Sequence, residues 1–549
     1  MEAPDSNAAV DSYRQNVRGI RQDLRQRLAV DPLAHSADGH VFGFQAPIVA
    51  DIPTGAYVRL TTSNGTRYLG QVLSGKVIEY EGPELNVEGD AGLGIGGSDI
   101  RVAQTAYRLR LRRVDGEGVL LGRLVGDRVE EVSPADLFED AQIALADDAE
   151  VERYLSARIG DRVSLDIGVL RTGTGQARAR LLASGFDRHT FLCGQSGSGK
   201  TFSLGVILER LLMDTSLRIV IIDPNSDFVR LGEVPAFEEV AGRMGGEMDA
   251  EMYGAVRQRY MDAAAGVHLL RPVPRGTVAG NALRVRFSDL APIVQGMVLQ
   301  IDPLSDLEEY SSLRSTVERL GRAAYSLADI RDAAAADLST EGRRLALRIS
   351  NLGVAGWDLW AERDEPSLAD AIGSQGTWRA LVLDVGGFSN AAEKSLIASG
   401  MLEHLWNERE RRQPILIVAD EAHNICAQDP PDPFTAAATD LAVRIAGEGR
   451  KFGLYLLMAT QRPQKLHANV LSQCDNLVLM RMNSSGDLAH LASTFSFVSA
   501  SLIQQSASFR QGEALVAGKI VPTPLMAKFS GRISREGGSD IPTTWASAR

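Results

Sequence analysis

Eight consecutive residues, Gly194-Gln195-Ser196-Gly197-Ser198-Gly199-Lys200-Thr201, fit the spacing GxxxxGK[ST] throughout. Each residue type has a chemical reason to be there. Glycines open backbone angles that turn successive N–H groups inward, and a following helix adds its positive N-terminal end. Lys200 sets a point charge on the β- and γ-phosphates of a nucleotide, and Thr201 offers its hydroxyl to Mg²⁺. The flanks agree with this reading. RHTFLCG is a short apolar strand entering the loop, and TFSLGVILERLLMD is a helix leaving it. A chance glycine-rich turn explains none of these neighbours, so the loop reads as a phosphate cradle for ATP with Mg²⁺.

A second element supplies the complementary charges. Ile415 to Ala419 form an unbroken apolar run that ends in Asp420 and Glu421. A carboxylate at the end of a buried strand is where a Mg²⁺ shell finds its acid partner. The adjacent Glu421 is suited to polarise an attacking water, which points to a hydrolase rather than a static binder. His423 completes the string DEAH and reads as a structural hydrogen-bonder. A third strand, GLYLLMATQRPQ, ends in Gln461, which either senses the γ-phosphate and aligns water or belongs to an ordinary β-to-α turn. Arg450, in GEGRKFG, stands either at a subunit boundary or as a solvated surface charge.

The elements that must carry these residues are legible in outline. With 549 residues the chain exceeds the roughly 250–300 at which one core stops growing, so two or more domains are expected. Between about 41 and 150 the texture is β-rich: VFGFQAPIV, AYVRLTTS, TRYLGQVLSGKVIEY, QTAYRLRLRRV and GVLLGRLV, separated by DIPTG, SNGT and VDGEG. Short strands at this spacing predict a small β-barrel, with the Gly-rich EGDAGLGIGGSD as a long loop. Beyond 150 the order turns α/β. LRIVIIDPNSDF, RALVLDV, PILIVADEAH and NLVLMRM join the strands above in a doubly wound sheet with its site at the strands' C-terminal ends. The division expected is an N-terminal helix or arm (1–35), a β-barrel domain (36–165) and an α/β ATPase domain (166–530). A mostly helical insertion spans about 236–375, with TVERLGRAAYSLADIRDAAAADL its longest helix, and a polar tail covers 531–549.

A net charge of −12 excludes a broadly basic nucleic-acid surface but leaves room for a basic patch confined to a channel. Cys193, Cys426 and Cys474 have no paired spacing, so neither a disulfide framework nor a zinc ribbon is expected. With no signal-peptide pattern and no apolar run of membrane-spanning length, a cytoplasmic protein is expected, with no membrane partner.

Together, GQSGSGKT, IIDPNSDF, ILIVADEAHN, GEGRKFGLYLLMATQRPQKLHANVLSQCDN and FRQGEALVAGKIVPTP resemble the HerA-type ATPases of the HerA–FtsK superfamily. The likeness covers roughly residues 40 to 530 and is most specific from Gly447 through Gln473. It implies a RecA-like P-loop core behind a small barrel, assembled as a homo-hexameric ring that uses ATP to translocate double-stranded DNA. It makes Lys200 and Thr201 the phosphate and Mg²⁺ residues, Asp420 the Mg²⁺ acid, Glu421 the water activator and Gln461 the sensor. It makes Arg450 an arginine delivered to the neighbouring subunit's nucleotide and Arg188 a second nucleotide contact, and it gives Asp223 an ordering role. The implied partner is a nuclease in DNA end processing, or a sirtuin-like NAD-consuming effector in bacterial defence. The alternative function is a ring scaffold that uses ATP as a signal to assemble and activate such an effector without processive movement. A DEAH-box-like helicase is disfavoured, because no arginine-rich late motif accompanies the DEAH string.

Overall fold

The computed structural model describes residues 18–19, 22–23, 29–87, 105–171, 177–240, 249–275, 277, 279–321, 324–374 and 378–537. Most of the expected N-terminal helix, the EGDAGLGIGGSD loop and the last part of the polar tail lie outside the described residues; residues 18–19 and 22–23 are helical. Contacts divide the chain into two compact units, the first Met1–Arg158 with Thr172–Ala177 and the second Ile159–Arg171 with Arg178–Arg549.

The first unit is built from β1 (Leu33–Ser36), β2 (Val41–Pro47), β3 (Tyr57–Thr61), β4 (Arg67–Val87), β5 (Thr105–Val125), β6 (Arg128–Glu130) and β7 (Phe138–Leu145). They pair in the order β2-β1-β7-β3-β4-β5-β6, and β2 pairs again with β5, so six strands close into a ring. Alternation fills its interior: Phe42, Phe44 and Ala46 on β2 are buried together with Val58, Leu60, Val72 and Ile143.

Two expected strands prove to be one. VDGEG is no turn, because β5 runs straight through it. The reason lies across the ladder, where Phe42 and Phe44 face Gly118 and Gly116. A Cβ at Gly118 would come within 2.3 Å of the Phe42 ring, and one at Gly116 within 2.4 Å of the Phe44 ring. These glycines are seats for phenyl rings in a strand, a use of glycine that close packing explains and turn statistics do not.

The second unit holds β8 (Ser164–Leu170), β9 (Arg178–Leu182), β10 (His189–Cys193), β11 (Arg218–Asp223), β12 (Val267–Leu270), β13 (Ala380–Asp384), β14 (Ile415–Ala419), β15 (Leu454–Thr460), β16 (Cys474–Met480), β17 (Glu513–Gly518) and β18 (Leu525–Phe529). Their order is β12-β13-β11-β14-β15-β10-β16-β17-β18-β8-β9. From β12 to β16 neighbours run parallel, and from β16 to β9 each pairing is antiparallel. The sheet is therefore mixed rather than uniformly parallel. Every residue of β10 and β14 is buried, as strands covered on both faces must be.

Between β11 and β13 the chain is mainly helical, but the long helix expected over 316–338 is two. One helix, Leu307–Leu320, stops at Gly321, whose φ of 72° only glycine adopts freely. The next, Leu327–Ala336, starts from a capping box: Ser326 Oγ accepts from the Asp329 N–H, and the Asp329 carboxylate accepts from the Ser326 N–H.

Candidate nucleotide site at the C-terminal edge of the sheet

The phosphate loop leaves the end of β10, and the acid pair leaves the end of β14. β15 lies between them and bonds to both. Its register sets Thr460 opposite Cys193 and Met458 opposite Ala419, so all three strands end on one edge. That edge gathers Gly194–Thr201, Asp420, Glu421 and Gln461.

The loop has the backbone its glycines predict. Gly197 and Gly199 have φ of 72° and 92°, and Gly199 stands at the N-cap of the helix Lys200–Asp214. Later chain segments fix it from two sides. The Gln195 N–H donates to the Arg481 carbonyl (2.9 Å), and the Asn483 N–H donates to Gln195 Oε1 (3.2 Å). The Gly512 N–H donates to the Ser198 carbonyl (2.8 Å), so close that a Cβ on Gly199 would lie 3.0 Å from that nitrogen.

Lys200 Nζ donates to Asp420 Oδ1 and lies 3.2 Å from Glu421 Oε1, all three side chains being buried. Burial works against the lysine charge, but Asp420 and Glu421 outweigh it and hold the ammonium above the usual lysine range. Burial likewise raises Glu421, and Lys200 with the Gln461 amide overcomes it and keeps the carboxyl below its ordinary value. Glu421 has a left-handed backbone (φ 43°), rare outside glycine and a common mark of functional turns. Gln461 Nε2 donates to Glu421 Oε1 at 2.9 Å, and His423 Nδ1 lies 2.9 Å from Thr460 Oγ1 and 3.4 Å from Glu421 Oε2. Burial lowers the His423 pKa, which favours the neutral ring and the structural part expected of it.

The site also contains residues that the motifs do not mark. Asp227, in the turn after β11, accepts from Thr201 Oγ1 at 3.3 Å. Gln511 and Gly512, ahead of β17, close a cleft of about 630 Å³ together with Ser196, Thr201, Gln461 and Glu536. FRQG was a signal for the glycine, since Gly512 holds φ at 80° where chain passes against the loop. Asp223 ends β11 fully buried and accepts the N–H groups of Asp227 (3.0 Å) and Phe228 (2.7 Å). Burial pushes its carboxyl up to about 6, against those bonds and helped by Asp227 and Asp420.

The residues present suit a Mg²⁺ ion. The hydroxyl of Thr201 and the carboxylate of Asp420 are hard oxygen donors, and Asp420 Oδ2 is buried with no hydrogen-bond partner. Such an ion is commonly held by one or two protein oxygens, with waters and nucleotide phosphates completing its shell. Among the described residues no His, Cys, Asp and Glu group is arranged to cage a metal alone.

The two arginines lie elsewhere. Arg188 directly precedes β10, and Arg450 lies in the 3₁₀ turn Gly449–Phe452 before β15. Both therefore stand at the N-terminal edge of the parallel strands, a strand length of about 16 Å from the phosphate loop of their own chain. There they share one acid: Asp475 Oδ2 lies 2.9 Å from Arg450 Nη1 and 3.5 Å from Arg188 Nε. The structure does not bring Arg188 to the nucleotide cleft of its own chain. All three cysteines are free and buried.

A lysine–carboxylate constellation at the parallel edge of an α/β sheet defines a P-loop nucleotide-site class, and comparison with known proteins narrows it. Residues 165–348 match the family model for the central domain of helicase HerA. The DNA double-strand break repair helicase HerA of Sulfolobus acidocaldarius is 35% identical over 130 residues, covering 23% of this chain and 25% of that protein. Its namesake from Sulfurisphaera tokodaii is 25% identical over 191 residues, covering 33% and 38%. The chain thus aligns with about a quarter to two-fifths of the length of these curated relatives. Among solved structures, VirB4 of Thermoanaerobacter pseudethanolicus overlaps 68% of this chain and 98% of its own, at 17% identity and a TM-score of 0.45. Over its central part the chain is thus similar to the HerA helicases.

Proposed function

We propose that this protein is an ATP-driven translocase of double-stranded DNA that works as a homo-hexameric ring. The observation that carries the reading is the grouping of Lys200, Asp420, Glu421 and Gln461 at one sheet edge, where Lys200 pairs with both carboxylates and Glu421 accepts from Gln461. ATP binding draws Lys200 to the phosphates; Thr201 and Asp420 would hold a Mg²⁺ ion, which would supply charge neutralisation there. Release of Lys200 leaves Glu421 free to orient water, with Gln461 reporting the state of the γ-phosphate through their shared bond. Arg450 and Arg188, remote from their own cleft, serve the cleft of the next subunit. The six-strand ring of the first unit is the barrel on which a partner docks, a nuclease or a sirtuin-like effector, in end processing or defence. No helix among the described residues is long and apolar enough to cross a membrane.

Lys200→Ala is expected to abolish ATP turnover, and Glu421→Gln to bind ATP yet turn it over at least a hundredfold more slowly, about 3 kcal/mol of transition-state stabilisation. Near-wild-type turnover in either variant overturns the site. Displacement of a triplex strand from duplex DNA separates a translocase from a ring scaffold, which would hydrolyse ATP without displacing it.

A further inference from the structure

Five hydrogen bonds, to three different segments of the chain, hold the turn after β11 in one shape. The buried Asp223 carboxylate accepts the N–H groups of Asn225, Asp227 and Phe228. Ser226 has a left-handed backbone (φ 59°) and donates its hydroxyl to Asp384 Oδ1 at 2.8 Å. The Gly537 N–H donates to the Asp227 carbonyl at 2.9 Å, in an approach so close that a Cβ on Gly537 would lie 1.8 Å from the Ser226 carbonyl oxygen. The product of this bracing is the direction of one side chain. Asp227 meets the first turn of the helix Lys200–Asp214, where its carboxylate accepts the Thr201 hydroxyl hydrogen.

A hydroxyl that ligates a cation uses an oxygen lone pair, and its hydrogen must then point elsewhere. Asp420, the acid nearest the loop lysine, already receives Lys200 on one oxygen. Asp227 is the side chain that takes the Thr201 hydrogen, which turns the lone pairs of Thr201 Oγ1 away from Asp227 and adds a negative charge behind the ligand. Outer partners of this kind fix ligand orientation in metal sites and commonly matter tenfold or more for affinity.

We infer that Asp227 is a positioning residue of the Mg²⁺ shell, acting through the Thr201 hydroxyl. The inference rests on the ATP site proposed above. No bond is made or broken: the hydrogen bond from Thr201 to Asp227 persists while the cation approaches the opposite side of the oxygen.

The test measures binding of a fluorescent, non-hydrolysable ATP analogue to the full chain, with excess Mg²⁺ and again in EDTA. Asp227→Ala should lose about tenfold of the Mg²⁺-dependent tightening and leave the EDTA affinity unchanged. Asp227→Asn, whose amide oxygen still accepts from Thr201 but carries no charge, should lose less, and it carries the test if the alanine variant fails to fold. Thr201→Ala should show the same loss, and the double variant no further loss, because the two act through one oxygen. A wild-type Mg²⁺ response in the Asp227 variants, or losses that add in full, overturns the inference. Lys200→Ala distinguishes the deeper failure: if it binds nucleotide as wild type does in both conditions, the ATP site itself is misplaced and Asp227 falls with it.

Discussion

A buried histidine shows how strictly single side chains are held here. His189 opens β10 with no exposed surface. Its Nδ1 accepts the Leu456 N–H at 3.0 Å, so the ring proton sits on Nε2 and is donated to the Ala446 carbonyl at 3.0 Å. The ring thereby ties the phosphate-loop strand to β15 and to the end of the helix Pro433–Glu448. Burial is the largest influence on it and lowers its pKa to about 4. Since the folded value lies below the unfolded 6.5, the stability this group contributes is complete above about pH 6.5. It is lost as pH falls toward 4. Between pH 7 and 5.5 this amounts to about 1 kcal/mol. His189→Gln keeps an acceptor and a donor without a titrating proton. Urea unfolding at the two pH values should show a fall in wild type that is smaller by about that amount in the glutamine variant. Equal falls would mean that His189 titrates normally.

At the scale of elements, the least expected piece is the segment after β18. Composition assigned residue 531 onward to a polar tail, yet residues 531–537 lie along the helix Lys200–Asp214. The fully buried Glu209 accepts the N–H groups of Ile533 (2.8 Å) and Ser534 (2.7 Å). The guanidinium of Arg532 rests on Gly205, where a Cβ would approach it to 2.6 Å, and donates to the Thr201 carbonyl at 3.2 Å. Glu209→Ala leaves the buried N–H groups of Ile533 and Ser534 without an acceptor, while Arg532 keeps Glu536 at 3.1 Å; two orphaned donors cost about 2–5 kcal/mol. The urea midpoint of the α/β unit should drop accordingly, and an unchanged midpoint would show the segment to be loosely attached.

What the sequence displayed and what it hid divide along the same physical line. The strands β10, β14 and β15 were legible because burial on both faces leaves unbroken apolar runs, and the loop was legible because phosphate binding dictates residue type and spacing. Asp227, Gln511 and Arg532 were not. They reach the site through pairings between distant segments, and a polar residue that serves a neighbour in space looks locally like any surface residue. The misread VDGEG and the helix break at Gly321 have the same root: glycine can seat a ring, end a helix or turn a chain, and only the opposing partner decides.

At the scale of the whole molecule, the parallel part of the sheet carries polar clusters at both of its edges. One carries the cleft, and the other carries Arg450, Arg188 and Asp475, whose side chains are each more than a third exposed. An edge with two arginines yoked to one carboxylate, a strand length from its own cleft, makes chemical sense when the next copy's phosphates meet it. A net charge of −12 is compatible with this arrangement, since a ring can keep its outside acidic while cations concentrate at subunit boundaries and in the bore. The consequence is a test by subunit mixing. Arg450→Ala and Lys200→Ala chains should each be inactive alone, the first for want of an arginine to give and the second for want of a cradle. In random mixed rings about one boundary in four joins an intact cradle to an intact arginine, so roughly a quarter of wild-type turnover should return. Asp475→Ala should lower kcat and leave KM for ATP unchanged, because it loosens the arginines without touching the cleft that binds substrate. Mixtures that exchange subunits, shown by mass, yet stay inactive would reduce Arg450 to a surface charge, and the chain would then have to complete its site from within.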